Sequence, residues 1–383
     1  MKYIVVLGDG MADEPIAELG GRTPLEYAKT PNMDRMAREG ACGMLHTIPD
    51  GYEAGSDIAN MAVLGYAPEQ YYTGRGPLEA LSMGVDLAPD DVAYRCNLVT
   101  VEKETMADFS ADHISSEEGK HLFAALQPEV PEVRVRAGVS YRNLLVIPRG
   151  KGSTSTPPHD IVGQGIGSYL PKGPDAGLLL QCMEKSRAVF ADHPVNRARI
   201  AAGKHPATQI WPWSGGHKPA FPLFEKKYGK KGGIISAVDL LNGIGRCAGM
   251  EVIHVPGATG YLDTDYAAKA RYALDAIRRL DFVYIHIEAP DEAGHLGSTE
   301  EKVKAIGNVD EVVGTILDGF DGVVAVLPDH PTPIRAKTHT RDPVPFVVRG
   351  KGKDGTTEYS EKSARLGGLG TKNAVDFLDF LFS

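Results

Sequence analysis

The chain has 383 residues, a formal charge of −9, 42% hydrophobic and 24% charged residues, a balance ordinary for a soluble globular protein able to bury a sizeable core. The length exceeds one ordinary core of ~100 to 200 residues and predicts one enlarged domain or two. The charge is dispersed and basic runs are short, as at Lys226, Lys227, Lys230 and Lys231, so nucleic acid is not an expected partner. No apolar run approaches the ~20 residues of a spanning helix. The N-terminus passes straight from MK into YIVVLG, so no export segment and no membrane partner are expected, and the cytoplasm is the expected location. Four cysteines, Cys42, Cys96, Cys182 and Cys247, lie far apart without a C-x-x-C pair; reduced, mostly buried thiols are expected rather than a disulfide framework.

In chain order, YIVVLG (3–8) predicts a buried strand ending at Asp9. GYEAGSDIANMAVLGY (51–66) sets Ser56 after a glycine-containing loop and before a run of helical spacing. Serine there is an ordinary helix N-cap, but it also sits in the positive field of the helix start, where backbone N–H groups favour a phosphate.

From about Asp91 to His193 the pattern changes to short alternating segments, VAYRCNLVTV and GVSYRNLLVI, separated by Gly, Pro and Ser loops. This predicts a smaller antiparallel α+β unit, residues 91–193, inserted as a cap or substrate-binding domain in a core of 1–90 and 194–383. Strand-like runs then resume at 232–238, 251–255, 282–288, 323–328 and 345–350, with helical patterns at 267–280 and 300–317. Strand alternating with helix predicts an α/β fold, a doubly wound, mostly parallel sheet covered on both faces.

In such sheets the ligand site lies beyond the carboxyl ends of the strands. Three strands end in polar side chains of one kind: Asp9 after the first, Asp291 and His295 after FVYIHIE, Asp329 and His330 after VVAVLP. His339, in THTRDPVP, is a further candidate. Asp291 and His295 are four apart, so a helical turn would present both on one face. Three Asp and three His on one sheet edge would repel or lie badly desolvated without cations, and the mixed donor set suits Mn²⁺ or Zn²⁺, with Mg²⁺ an option where carboxylates dominate. A hydroxyl beside two such ions could attack phosphorus.

The ordered motifs GDGMAD, LGGRTPLEYAKTPNMD, GSDIANMAVLGY, YYTGRGPLEA, DVAYRCNLVTV, VPGATGYLDTDY, EAPDEAGH, PDHPTP and THTRDPVP resemble the archaeal-type cofactor-independent phosphoglycerate mutases of the alkaline phosphatase superfamily, over nearly the whole chain. The resemblance implies an alkaline-phosphatase-like core with an inserted cap that closes over the site to exclude water. It also implies Ser56 as a phosphorylated nucleophile, one metal held by Asp9, Ser56, Asp329 and His330, and another by Asp291, His295 and His339. The implied reaction interconverts 3-phosphoglycerate and 2-phosphoglycerate, a glycolytic isomerisation of a small phosphorylated metabolite, with manganese the first choice of ion. Arg75, Arg142, His159 and Asp160 are candidates for gripping the substrate, since arginine's planar fork matches phosphate and carboxylate.

Other stretches, TPPHDIVGQGIGSYLP, HPVNRARIAAG, SAVDLLNGIGRCAGM and IEAPDEAGHLG, resemble a branch of that family proposed to act as homoserine kinases, so transfer from ATP to homoserine is the alternative. No G-x-x-x-x-G-K-[ST] occurs, and GQGIGS (163–168) and GGLGTK (367–372) lack the strand-loop-helix context of a phosphate cradle. A non-catalytic scaffold would show eroded ligands, whereas every position named is intact. Oligomeric state is not legible.

Overall fold

The computed structural model describes residues 1–383. In chain order its strands are β1 (Tyr3–Gly8), β2 (Gly40–His46), β3 (Val92–Glu102), β4 (Thr105–Asp108), β5 (Arg134–Val139), β6 (Arg142–Ile147), β7 (Gln209–His217), β8 (Gly232–Ile235), β9 (Glu251–Val252), β10 (Phe282–Ile287), β11 (Val323–Leu327), β12 (Val344–Arg349) and β13 (Thr371–Asn373). The chain divides into two compact units, Met1–Tyr72 with Phe221–Ser383, and Thr73–Ala220.

The first unit carries an eight-stranded sheet of order β13-β2-β12-β11-β1-β10-β8-β9. β1 pairs in parallel with β10 and β11, as do β10 with β8 and β2 with β13, while β12 runs antiparallel to β11 and β2. Every residue of β1, β10 and β11 is buried, which is why these segments read as continuous apolar runs rather than alternating ones. Ala270, Ala273 and Ile277 of the helix Tyr266–Arg279 share a core with Ile306, Val309, Val313 and Ile316 of the helix Thr299–Gly319 and with Ile4, Val6, Val283, Ile285, Val324 and Val326 of the sheet. Both sets follow the three-and-four spacing of one helical face.

Two expected strands are shorter than their apolar runs. Ser236 accepts a hydrogen bond from the Val238 N–H and turns the chain into the helix Asp239–Cys247, so β8 stops at Ile235. β9 lies at the sheet edge and has only that short strand to pair with.

The second unit is an antiparallel sheet in the order β4-β3-β6-β5, with β7 also paired to β3. Leu122, Phe123 and Leu126 of the helix Ser116–Leu126 and Leu179, Cys182 and Met183 of the helix Ala176–Ala191 pack in one core with Leu98 and Trp211. It is the α+β unit expected, but its limits differ: it begins at Thr73 rather than about Asp91 and ends at Ala220 rather than about His193. β7 ladders along β3 from Val92 to Val99, and the helix Arg75–Ser82 lays Gly76 against the Ala93 carbonyl, where even a Cβ would come within 2.2 Å. Residues 75–82 and 209–217 therefore belong to this unit. No helix is long and apolar enough to cross a membrane.

The registers make three strands end level. Leu7 of β1 lies opposite both His286 of β10 and Leu327 of β11. Behind these ends the loops are tied by Lys302, wholly buried, whose Nζ donates to Asp13 Oδ2 at 2.7 Å, the Thr332 carbonyl at 2.7 Å and the Ala12 carbonyl at 3.3 Å. Lys302→Met would leave Asp13 as an unpaired buried charge, a loss of ~3–5 kcal/mol. Equilibrium urea unfolding should show that loss, with part recovered when Asp13→Asn is added; an unchanged midpoint in the single variant would show that the ion pair does not hold these loops.

Candidate metal centre

Each strand end delivers its side chain by a different local device. After β1 the chain turns through Gly10 at φ +61, where a Cβ would come 2.6 Å from Asp291 Oδ1 and from Thr332 Oγ1; only glycine leaves room for those side chains. After β10 the helix Ala289–Leu296 starts at once, with Glu288 at its N-cap and Pro290 in its first turn, so Asp291 and His295 share one face. After β11, Asp329 Oδ1 accepts from the N–H groups of Gly10 at 3.2 Å and His330 at 2.9 Å. Asp329 Oδ2 accepts from Asn60 Nδ2 at 2.8 Å, and Tyr284 donates to the oxygen of that amide.

Ser56 opens the helix Ser56–Val63 as its first helical residue. Gly55 is the N-cap and makes no side-chain bond, so the hydroxyl is not a cap. Its Oγ instead lies 3.2 Å from His330 Nε2. The same nitrogen is 3.5 Å from Asp9 Oδ1 and 3.6 Å from Asp329 Oδ2. Asp9, Asp329 and His330 thus converge as one set of side chains that could hold a metal ion, and Asp291, His330 and His339 as a second. His295 adjoins the second set, its Nε2 3.2 Å from Asp291 Oδ2 and 3.0 Å from His339 Nε2, which is itself 3.5 Å from Asp291 Oδ1.

The ring tautomers follow from the partners. His295 Nδ1 faces the Lys337 carbonyl at 3.0 Å and His339 Nδ1 the Ala54 carbonyl at 3.2 Å, so each Nδ1 carries a proton. Thr332 gives its hydroxyl hydrogen to Asp291 Oδ1, leaving its oxygen to accept from His330 Nδ1 at 3.3 Å. All three rings therefore anchor Nδ1–H outside the cluster and turn Nε2 inward, as metal-bound imidazoles do.

The electrostatics point the same way. Asp9, Asp329 and His330 are wholly buried. Burial, then repulsion from Asp329, Asp291 and Glu288, pushes the Asp9 carboxyl well above its usual range, and burial pushes the His330 imidazole down. Burial also opposes ionisation of Asp291, but hydrogen bonds from His295 and His339 overcome it and hold this carboxyl well below its usual range; the bond to Asp291 raises His295 to about 9. Both oxygens of Asp9 are buried without a hydrogen-bond partner. Orphaned carboxylate oxygens among inward-facing imidazole nitrogens fit divalent cations.

The remaining candidates lie in the second unit. Arg75 is the first residue of the helix Arg75–Ser82 and its N–H donates to Ser214 Oγ at 3.1 Å. Arg142 opens β6, exposed, with its guanidinium over the Tyr141 ring. Near enough to both to be repelled by them is Arg95, which the sequence reading missed. Its guanidinium lies 4.4 Å over the Trp213 ring and 3.1 Å from Glu79 Oε1, and burial, then repulsion from Arg75 and Arg142, lowers its pKa against the pull of Glu79. His159 packs edge-on against Trp213 and lies 3.5 Å from Asp160, both half-exposed. Also unread were Asn60, Tyr284, Thr332, Lys302, His286 and Glu288. HIE in FVYIHIE held two of these in plain view, as polar residues at the end of an otherwise apolar run.

A profile of the 2,3-bisphosphoglycerate-independent phosphoglycerate mutases matches residues 37–196. A curated relative of that name from Methanothrix thermoacetophila is 50% identical over 391 aligned residues, covering 100% of both chains. A probable mutase of the same description from Geobacter sulfurreducens is 50% identical over 100% of this chain and 99% of its own. Among solved structures, a Pyrococcus horikoshii protein superposes with a TM-score of 0.86 at 32% identity, covering 100% of this chain and 98% of that one. The cofactor-independent phosphoglycerate mutase of Thermoplasma acidophilum gives 0.71 at 29%, covering 100% and 99%. With half of all residues shared from end to end and the fold shared as well, the chain belongs to the family of 2,3-bisphosphoglycerate-independent phosphoglycerate mutases.

Proposed function

We propose that the protein interconverts 3-phosphoglycerate and 2-phosphoglycerate, carrying the phosphoryl group on Ser56. The observation that carries this reading is the Ser56 hydroxyl, released from capping at a helix start and 3.2 Å from His330 Nε2. That position combines a nucleophile, an inward imidazole nitrogen and the positive end of a helix for the incoming phosphate. Asp9, Ser56, Asp329 and His330 would hold one divalent cation and Asp291, His295 and His339 another, manganese by preference; bound there, the pair lowers the pKa of a hydroxyl and neutralises charge on a transferring phosphoryl group.

The chain's own residues do the rest. His330 Nδ1 is committed to Thr332, so its Nε2 would offer its lone pair to the cation beside Ser56. Asn60 fixes the geometry by donating to both the Ser56 carbonyl and Asp329 Oδ2, each at 2.8 Å. In the first transfer a bond forms between Ser56 Oγ and phosphorus while the bond from phosphorus to the substrate's 3-oxygen breaks, and the proton lost by Ser56 is balanced by one gained at that oxygen. The glycerate then presents its 2-hydroxyl, which takes the phosphoryl group back and restores Ser56. Arg75 and Arg142, with Arg95, are the anion-binding candidates of the second unit, with His159 and Asp160 beside them.

Beyond those stretches of resemblance, the geometry offers the kinase alternative no phosphate cradle. GQGIGS leads into the 3-10 turn Ile166–Tyr169, and GGLGTK follows a helix and leads into β13, the reverse of a phosphate-cradling strand-loop-helix. The buried free thiols of Cys42, Cys96 and Cys182 suit a reducing cytoplasm.

Ser56→Ala should lower turnover by roughly a thousandfold or more with an unchanged circular dichroism spectrum. Mass spectrometry of wild-type protein quenched during turnover should find the phosphate on the Ser56 peptide; sustained turnover by the alanine variant would overturn the mechanism. Chelation with EDTA should abolish activity and added Mn²⁺ restore it. His339→Ala should retain fewer ions per chain by elemental analysis, and a full complement in that variant would remove His339 from the ligand set.

A further inference from the structure

Tyr284 stands where the layer around it calls for an apolar residue. It lies in the middle of β10, and the residues beside it in the neighbouring strands are Val5 of β1 and Ile234 of β8. Its ring packs near that of Phe282, two residues earlier and so on the same face of the strand. Phenylalanine would fill the place without burying a hydroxyl, which is costly unless it is bonded. The Tyr284 hydroxyl, wholly buried, donates to Asn60 Oδ1 at 2.6 Å.

Asn60, also wholly buried, passes that bond on. Its Nδ2 gives one hydrogen to the Ser56 carbonyl and the other to Asp329 Oδ2, each at 2.8 Å. A carbonyl and a carboxylate only accept, so the amide nitrogen must face them and the amide oxygen must face Tyr284. Its three partners sit on different elements: the helix Ser56–Val63, the strand β10 and the loop after β11. Since β10 is held in parallel register on both sides, the phenol is the rigid end of this relay. Burial, then the charges of Asp329 and Asp9, pushes its pKa well above the usual range, so it stays a donor.

We propose that Tyr284 is a positioning residue for phosphoryl transfer, holding the first turn of the Ser56 helix and Asp329 in fixed relation through the Asn60 amide. Reacting atoms have to be held closely, and a misplacement of ~1 Å can cost about a hundredfold in rate. The inference rests on the reading of Ser56 as the phosphoryl carrier. The competing account is a core tyrosine that contributes to stability alone.

Tyr284→Phe removes one oxygen and keeps the ring. It should lower kcat for conversion of 3-phosphoglycerate roughly tenfold with KM unchanged. Asn60→Ala should cost more, and the double variant should be no slower than Asn60→Ala alone, because Tyr284 acts only through the amide. A purely structural role would lower the unfolding midpoint of Tyr284→Phe and leave kcat where it was; that result, or losses that multiply in the double variant, overturns the proposal. Failure of the Ser56 reading shows in the wild-type protein itself, as no phosphate on Ser56 during turnover, and takes the proposal with it. Wild-type kcat in Tyr284→Phe with phosphoserine detected removes the positioning role alone. Should Tyr284→Phe fail to fold, Asn60→Ala carries the test, since Tyr284 has no other route to Ser56: a wild-type kcat there overturns the proposal.

Discussion

The structure depends on one electrostatic constraint: four carboxylates, Asp9, Glu288, Asp291 and Asp329, are brought together where three adjacent parallel strands end. The registers of β1 with β10 and β11 leave no freedom in this, because Leu7, His286 and Leu327 lie side by side. Like charges so placed raise one another's pKa or require cations. Burial, and after it this repulsion, raises both Asp9 and Glu288. The inward Nε2 atoms of His295, His330 and His339 prepare for the second. What surrounds the cluster, from Gly10 with no room for a Cβ to Lys302 lashing two loops together, keeps this unfavourable arrangement in place.

The same constraint accounts for the placement of Ser56. A hydroxyl at a helix start ordinarily satisfies backbone N–H groups, and the sequence allowed that reading. Here glycine occupies the cap position and Ser56 is displaced by one residue into the helix. Its oxygen is left to face His330, whose protonation is decided by Thr332 and, through Thr332, by Asp291. Ser56 and Asp291 are thereby linked by a chain of hydrogen bonds through His330 and Thr332.

Much of this was legible in the sequence, and the limits have physical causes. β1, β10 and β11 are buried on both faces, so their apolar runs gave both the strands and the residues that follow them. His286 escaped because a polar residue inside such a run has no readable orientation until the register is known. Arg95 escaped for a related reason: it lies opposite Trp213 only through the pairing of β3 with β7, and nothing local announces a partner so distant in the chain. That long-range pairing is also why the second unit's limits, Thr73 and Ala220, fell outside the segment whose composition changes.

The central claim is that phosphoryl transfer ends on the substrate's other hydroxyl and not on water or a nucleotide. Phosphorus NMR of the Mn²⁺-loaded protein with 3-phosphoglycerate, in the absence of both 2,3-bisphosphoglycerate and ATP, tests it most directly. The account predicts a 2-phosphoglycerate signal growing to equilibrium without inorganic phosphate. A signal from inorganic phosphate alone, or an unchanged 3-phosphoglycerate spectrum that gives way to a phosphorylated amino acid once ATP and homoserine are added, would contradict it.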